Sequence, residues 1–214
     1  VIVAGEKPLD RAEERPSAYF RKNQNRRGKG KEGAWSFREP YWESGVTSIV
    51  LFACLRAGMD VRDPMIQAGF KYITDNVVPN ARPTEMYTYN ISTQMMAIAE
   101  GYGDMLRAKN PANDRERTLK EIFESGLNYC YEALKEGEAG YTIDQQGIDL
   151  SNTQYLVMAL EAAQRAGYDV PKKTWFEILK KGLETQAEEG PDVDRVNILS
   201  VKADEVDKHG YAIR

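Results

Sequence analysis

Two kinds of apolar segment alternate along the chain. Tyr155 to Ala163 is apolar almost without a break, and a helix apolar all round is one buried on every side. Arg165-Ala166-Gly167 stops it, with Gly167 suited to the position just past a helix end. Pro171 then opens a second helix, where proline fits the first turn. Its apolar positions are Trp175, Ile178, Leu179, Gly182 and Leu183, the i, i+3, i+4, i+7, i+8 spacing of one amphipathic face. The pattern predicts a hairpin of one enclosed and one half-exposed helix over residues 149–186.

Two earlier stretches read the same way. In the first, Ser44 is an N-cap candidate, Val46 and Ile49 to Leu55 are apolar, and Gly58 ends the helix. A partner helix opens near Pro64 and carries Ile66, Gly69, Phe70, Ile73 and Val77. In the second, Asn90 or Ser92 caps a helix through Met95 to Ala99 that Gly101 and Gly103 weaken. Its partner shows Leu119, Ile122, Phe123, Gly126, Leu127, Cys130, Tyr131 and Leu134, closed by Gly137 and Gly140.

The three units register on one another. Ile66, Leu119 and Trp175 align at steps of 53 and 56 residues, and the same shifts carry Phe70 to Phe123 to Leu179. The first helices register on Thr47, Thr93 and Thr153 and end at Arg56-Ala57-Gly58, Arg107-Ala108-Lys109 and Arg165-Ala166-Gly167. A period of about 55 residues is too long for the tetratricopeptide unit of about 34 or the ankyrin unit of about 33. A small residue followed by an aromatic precedes the units at Gly33-Ala34-Trp35 and Ala139-Gly140-Tyr141, recurs at His209-Gly210-Tyr211, and is degenerate at Glu85-Met86-Tyr87. The expectation is one all-α domain over residues 1–214: an irregular basic lead-in (1–43), three helical hairpins (44–186) and an acidic segment (187–214).

Composition narrows the function. The chain has 29% charged and 42% hydrophobic residues and a net charge of −4, which argues against a general nucleic-acid binder. Residues 11–33 hold eight Lys/Arg and three Glu without an aromatic ladder, so a solvated loop is favoured over an anion-binding patch. Cys54 and Cys130 sit inside apolar segments and read as buried free thiols. No apolar run reaches the roughly 18 residues of a membrane span. No signal peptide is visible, and a processed N-terminus would read the same, so the compartment stays open. The one histidine, His209, has no cysteine in ligand spacing, and Gly28-Lys29-Gly30 lacks the residues of a phosphate loop. Catalytic residues, metal and cofactors are therefore all expected to be none. Glu100 and Glu161 are expected to pair with Arg107 or Arg165 at the helix ends.

Gln24 with Gly33-Ala34-Trp35, the Asn152-Thr153-Gln154-Tyr155 helix start and the two Arg-Ala-Gly ends together resemble the prenyltransferase and squalene-cyclase repeat family. The resemblance covers about residues 15–186 and implies an α/α toroid, in which enclosed inner helices are ringed by half-exposed outer ones. Three hairpins are fewer than a complete ring of that family holds, which leaves an open partial ring or one segment of a longer protein. The family's enzymes work at inner-helix N-termini facing a central cavity. On that implication the candidate ligand-binding residues are Thr47, Asn90, Thr93, Asp149, Asn152 and Gln154, with Trp42, Tyr89 and Tyr155 as walls.

The family's cyclases use an Asp-x-Asp-Asp acid run, and here Asp149-Leu150-Ser151-Asn152 matches only its first Asp. The zinc set of its protein prenyltransferases and the thioester segment of the complement-type toroids are also missing. The leading expectation is a non-catalytic repeat scaffold that binds a protein or peptide. The alternative is an isoprenoid or lipid binder, or a terpene-cyclase-like enzyme, using the toroid cavity.

Overall fold

The computed structural model describes residues 17–25, 30–36, 42–79, 87–108, 110–143 and 149–185. Tyr41, residues 11–16 and 26–29 of the basic stretch, the Glu85-Met86 marker, His209 and the acidic segment from 187 on lie outside them. The chain divides into a unit of residues 1–182 and a second of 183–214, of which the described part is 183–185, the end of the last helix.

The described residues are helical, with no strand. After a short helix at 17–23 come α1 (Glu43–Arg56), α2 (Pro64–Asn76), α3 (Tyr87–Arg107), α4 (Asp114–Ala133), α5 (Leu150–Arg165) and α6 (Lys172–Glu184). The main packing runs α1 to α3 to α5, side by side. α2 lies on α1, and α4 on α3 with smaller contacts to α5 and α2. The core follows that layout: Leu51, Ile66, Phe70, Ile98, Leu119, Phe123, Cys130, Leu156 and Leu160 are wholly buried.

Local chemistry fixes the helix ends. Asp63 caps α2 by accepting from the Met65 amide, just ahead of Pro64. Asn113 accepts from the Glu116 amide while Glu116 reaches back to the Ala112 amide, close to a capping box. α1 and α5 stop in the same way. Gly58 donates to the Leu55 carbonyl and Met59 to that of Cys54; Gly167 donates to Gln164 and Tyr168 to Ala163. These are two Schellman motifs, and Gly58 and Gly167 stand at φ +88° and +93°.

The turns ahead of α1 and α5 also match. The Thr47 hydroxyl accepts from the Trp35 amide at 3.0 Å, and the Thr153 hydroxyl accepts from the Ala139 amide at 2.9 Å. Gly33 and Gly137, at φ +89° and +88°, press against α2 and α6. A Cβ on Gly33 would lie 2.0 Å from the Ala68 carbonyl oxygen, and one on Gly137 would lie 2.3 Å from that of Glu177. Only glycine satisfies both the backbone angle and the approach. Gln24 locks the first turn by donating to the Gly33 and Met65 carbonyls.

Several expectations need correction. Ser44 does not cap α1, which begins at Glu43, and Asn90 and Ser92 lie inside α3, which begins at Tyr87. The helix buried on all sides is α3, where Thr88 and every residue from Asn90 to Ile98 are buried. In α5, Gln154 and Glu161 are exposed and Met158 is 39% exposed, because among the described residues α5 has a row neighbour, α3, on one side only. The α6 stripe is split: Trp175 and Ile178 are half-buried, whereas Leu179 and Leu183 are exposed together with Phe176. Cys54 and Cys130 are free and buried.

Candidate functional site

A cavity of about 360 Å³ opens at the N-terminal ends of the α1, α3 and α5 row. One face of α1 supplies Trp42, Gly45, Val46 and Ile49, at i, i+3, i+4 and i+7. α3 supplies Tyr89, Asn90 and Thr93, α5 supplies Tyr155, and the turn before α5 supplies Tyr141. The lining is mostly apolar, with four aromatic rings and no carboxylate, ammonium or guanidinium group among its residues.

The walls are braced on one another. Tyr89 meets Tyr155 edge-on at 4.9 Å between ring centroids and Tyr141 at 6.0 Å. Gly45 lets α1 close on α3, since a Cβ there would lie 2.0 Å from the Asn90 Oδ1. The Thr93 hydroxyl turns back to the Tyr89 carbonyl at 2.9 Å. The Tyr141 carbonyl accepts from the Tyr87 and Thr88 amides at 3.1 Å each, which satisfies two of the first-turn donors of α3. The Tyr141 ring is therefore set by the start of a helix some fifty residues away in sequence.

A polar relay runs along the rim. The Tyr89 hydroxyl bonds the Ser151 hydroxyl, and Ser151 Oγ donates to Asp149 at 2.5 Å. Asp149 also accepts from the Ser151 amide at 2.8 Å, as the N-cap of α5. The Ser151 hydroxyl, then the Tyr141 hydroxyl, then the Ser151 amide hold the Asp149 carboxyl below its usual range. The hydrogen bond to Asp149 in turn raises Tyr141. A carboxyl held this way stays ionised near neutral pH and carries no proton to give, whereas acid-initiated cyclisation needs a protonated acid.

Of the nine candidate residues, Trp42, Tyr89, Asn90, Thr93 and Tyr155 line this cavity. The other four do not. Thr47 is wholly buried and spent on the Trp35 turn. Asn152 is wholly buried, with neither side-chain polar atom hydrogen-bonded. Gln154 points to solvent, and Asp149 belongs to the rim relay. The candidate set omitted Gly45, Val46, Ile49, Tyr141 and Ser151. The first three share Trp42's helical spacing, a signal legible in the sequence; the marker that pairs Tyr141 with Trp35 is out of register, since Gly137 and Ala139 take the places of Gly33 and Trp35.

A second, more polar cavity of about 390 Å³ lies at the other end of the row, around residues 99–105, Arg107 and Arg165. There Glu100 of the middle helix sits 3.3 Å from Arg165 and 3.5 Å from Arg56, bridging both neighbours. Glu161 also pairs with Arg165, as expected, while Arg107 pairs with Asp104. Burial pushes the Cys54 thiol up to about 11 and Cys130 to about 12, so neither is a ready nucleophile. Among the described residues no group of three His, Cys, Asp or Glu side chains is placed to hold a metal ion, and no helix is long and apolar enough to cross a membrane. Comparison of the chain with protein-family models, curated proteins and solved structures finds no match.

Proposed function

We propose that this chain is a non-catalytic binding module of toroid-like helical hairpins, and that the cavity at the α1–α3–α5 mouth holds a small apolar ligand. The observation that carries the ligand reading is the lining: four aromatic rings and two aliphatic side chains around about 360 Å³, without an ionised group. That size is near the lower end of the roughly 300–1,000 Å³ of small-molecule sites, which suits a short isoprenoid or acyl chain end. The paired turns, Gly33 on Ala68 with Thr47 on Trp35 and Gly137 on Glu177 with Thr153 on Ala139, support the repeat reading. Cyclase-like catalysis is disfavoured because Asp149, the acid of the rim relay, is held in its ionised form.

The test is a titration with farnesol, followed through Trp42 by quenching of tryptophan emission and by calorimetry. Saturable binding with a negative heat-capacity change is expected. Ile49→Trp, which fills the cavity from a half-buried position, should abolish it. Binding unchanged in Ile49→Trp, or no binding up to the solubility limit of the probe, sinks the ligand reading.

A further inference from the structure

The rim of the mouth cavity carries a carboxylate whose counterpart in the first unit has a cation. The turns ahead of α1 and α5 share a tripeptide, Lys31-Glu32-Gly33 and Lys135-Glu136-Gly137. They close alike: Ala34 donates to the Lys31 carbonyl, and Glu138 donates to that of Lys135. The Trp35 and Ala139 amides then donate to Thr47 and Thr153. Four residues before each threonine stands an acid, Glu43 or Asp149. In the first unit the charge is met within the chain: Lys31 lies 2.6 Å from Glu43, which is 4% exposed. In the third unit the Lys135 ammonium goes to the Ile143 carbonyl at 2.8 Å instead. The groups that bond Asp149 are uncharged, and no ammonium or guanidinium pairs with it among the described residues. Its carboxylate is half-exposed and is linked through the Ser151 hydroxyl to that of Tyr89 in the cavity wall.

The rest of the wall suits a cation of a particular kind. Tyr155 and Tyr141 stand 4.9 and 6.0 Å from Tyr89, with their rings inclined to it at 73° and 54°, and Trp42 faces the same cavity from α1. Aromatic faces are electron-rich and attract an organic cation within about 6 Å of a ring centroid. A primary ammonium is strongly hydrated and loses its water on entering such a lining. A methylated ammonium is clothed in methyl groups, so it meets the rings as an apolar body that still carries charge. We propose that the occupant of this cavity bears a methylated ammonium head, packed among Trp42, Tyr89, Tyr141 and Tyr155 with Asp149 as its counter-charge. On the apolar-ligand reading above, on which this rests, the apolar body of the same molecule fills the rest of the cavity. The Ser151 and Tyr141 hydroxyls keep Asp149 ionised, so the counter-charge is present at neutral pH.

The test compares two probes of one shape on the full chain by titration calorimetry: choline, and 3,3-dimethylbutan-1-ol, in which carbon replaces the charged nitrogen. Choline is expected to bind with a dissociation constant at least tenfold below that of the alcohol. Asp149→Asn should weaken choline at least fivefold and leave the alcohol unchanged, since asparagine still caps α5 and the fold is kept. Tyr155→Leu, which removes a ring and keeps an apolar side chain, should also weaken choline more than the alcohol. Equal binding of the two probes overturns the cationic head and leaves the apolar-ligand reading in place. Binding by neither probe overturns the cationic head as well, and the farnesol titration then decides the apolar reading on its own. A choline advantage untouched by Asp149→Asn overturns the role of the rim carboxylate and with it the proposal.

Discussion

Gly33 and Gly137 offer a comparison in which the local geometry is the same and the cost is not. Alanine at either site must adopt φ near +88°, which costs about 1–2 kcal/mol for an L-residue. The new Cβ would also meet a carbonyl oxygen, at 2.0 Å from Ala68 or 2.3 Å from Glu177, so the helix that carries it must shift. α2, which carries Ala68, cannot shift cheaply, because Ile66, Phe70 and Ile73 anchor it in the core at 0–1% exposure. Overpacking of that kind adds about 1–3 kcal/mol. α6, which carries Glu177, has no buried residue and can give way. The expected losses are therefore about 3 kcal/mol or more for Gly33→Ala and about 1–2 kcal/mol for Gly137→Ala. In a chain of this size these correspond to about 6–12 °C and 2–8 °C in Tm. Urea unfolding followed by circular dichroism gives both values directly. Equal losses, or a larger loss for Gly137→Ala, would show that anchoring of the contacted helix does not set the cost.

Phe123→Ala should cost about 3–5 kcal/mol by the same assay, whereas Leu179→Ala, at the equivalent register position but exposed, should cost under about 0.5 kcal/mol; similar losses would contradict the register. The Asp63 carboxyl is lowered chiefly by its hydrogen bond with Arg21, so its stabilisation is present above the unfolded value of about 3.9 and fades as pH falls through the lower folded value. Wild type should lose stability relative to Asp63→Asn as pH drops below about 4, and parallel pH profiles would refute that role. Neither Cys54 nor Cys130 should react with a thiol reagent in the native chain, and both should react in denaturant; rapid native labelling would contradict their burial.

The element positions were legible because they rest on local chemistry. The two Arg-Ala-Gly endings become Schellman motifs, and Pro64 and Pro171 stand at or just before helix starts. The candidate site was legible only in part, because adjacent residues on a helix point about 100° apart. Thr47 was chosen for its register, yet the cavity takes Val46 and Ile49 from the same helix while Thr47 turns to the Trp35 loop. Asn152, chosen as a helix-start residue, rotates into the core one step after Ser151 at the rim. Tyr141 falls among the aromatics near the hairpin mouths that the sequence offers as pocket walls or as repeat staples, and the bonds from the α3 first turn to its carbonyl set it in the wall. The apolar face of α5 and the stripe of α6 look in sequence like those of their predecessors. Their exposure depends on which helices pack against them, which is a tertiary property that neither helix's own pattern carries.

Native mass spectrometry of the chain purified without detergent from its own cells tests the central claim most directly. The account predicts a stoichiometric apolar adduct, recovered by solvent extraction from wild type and lost in Ile49→Trp. An adduct-free chain that also refuses short isoprenoid and acyl probes, or an adduct equally abundant in Ile49→Trp, would contradict it.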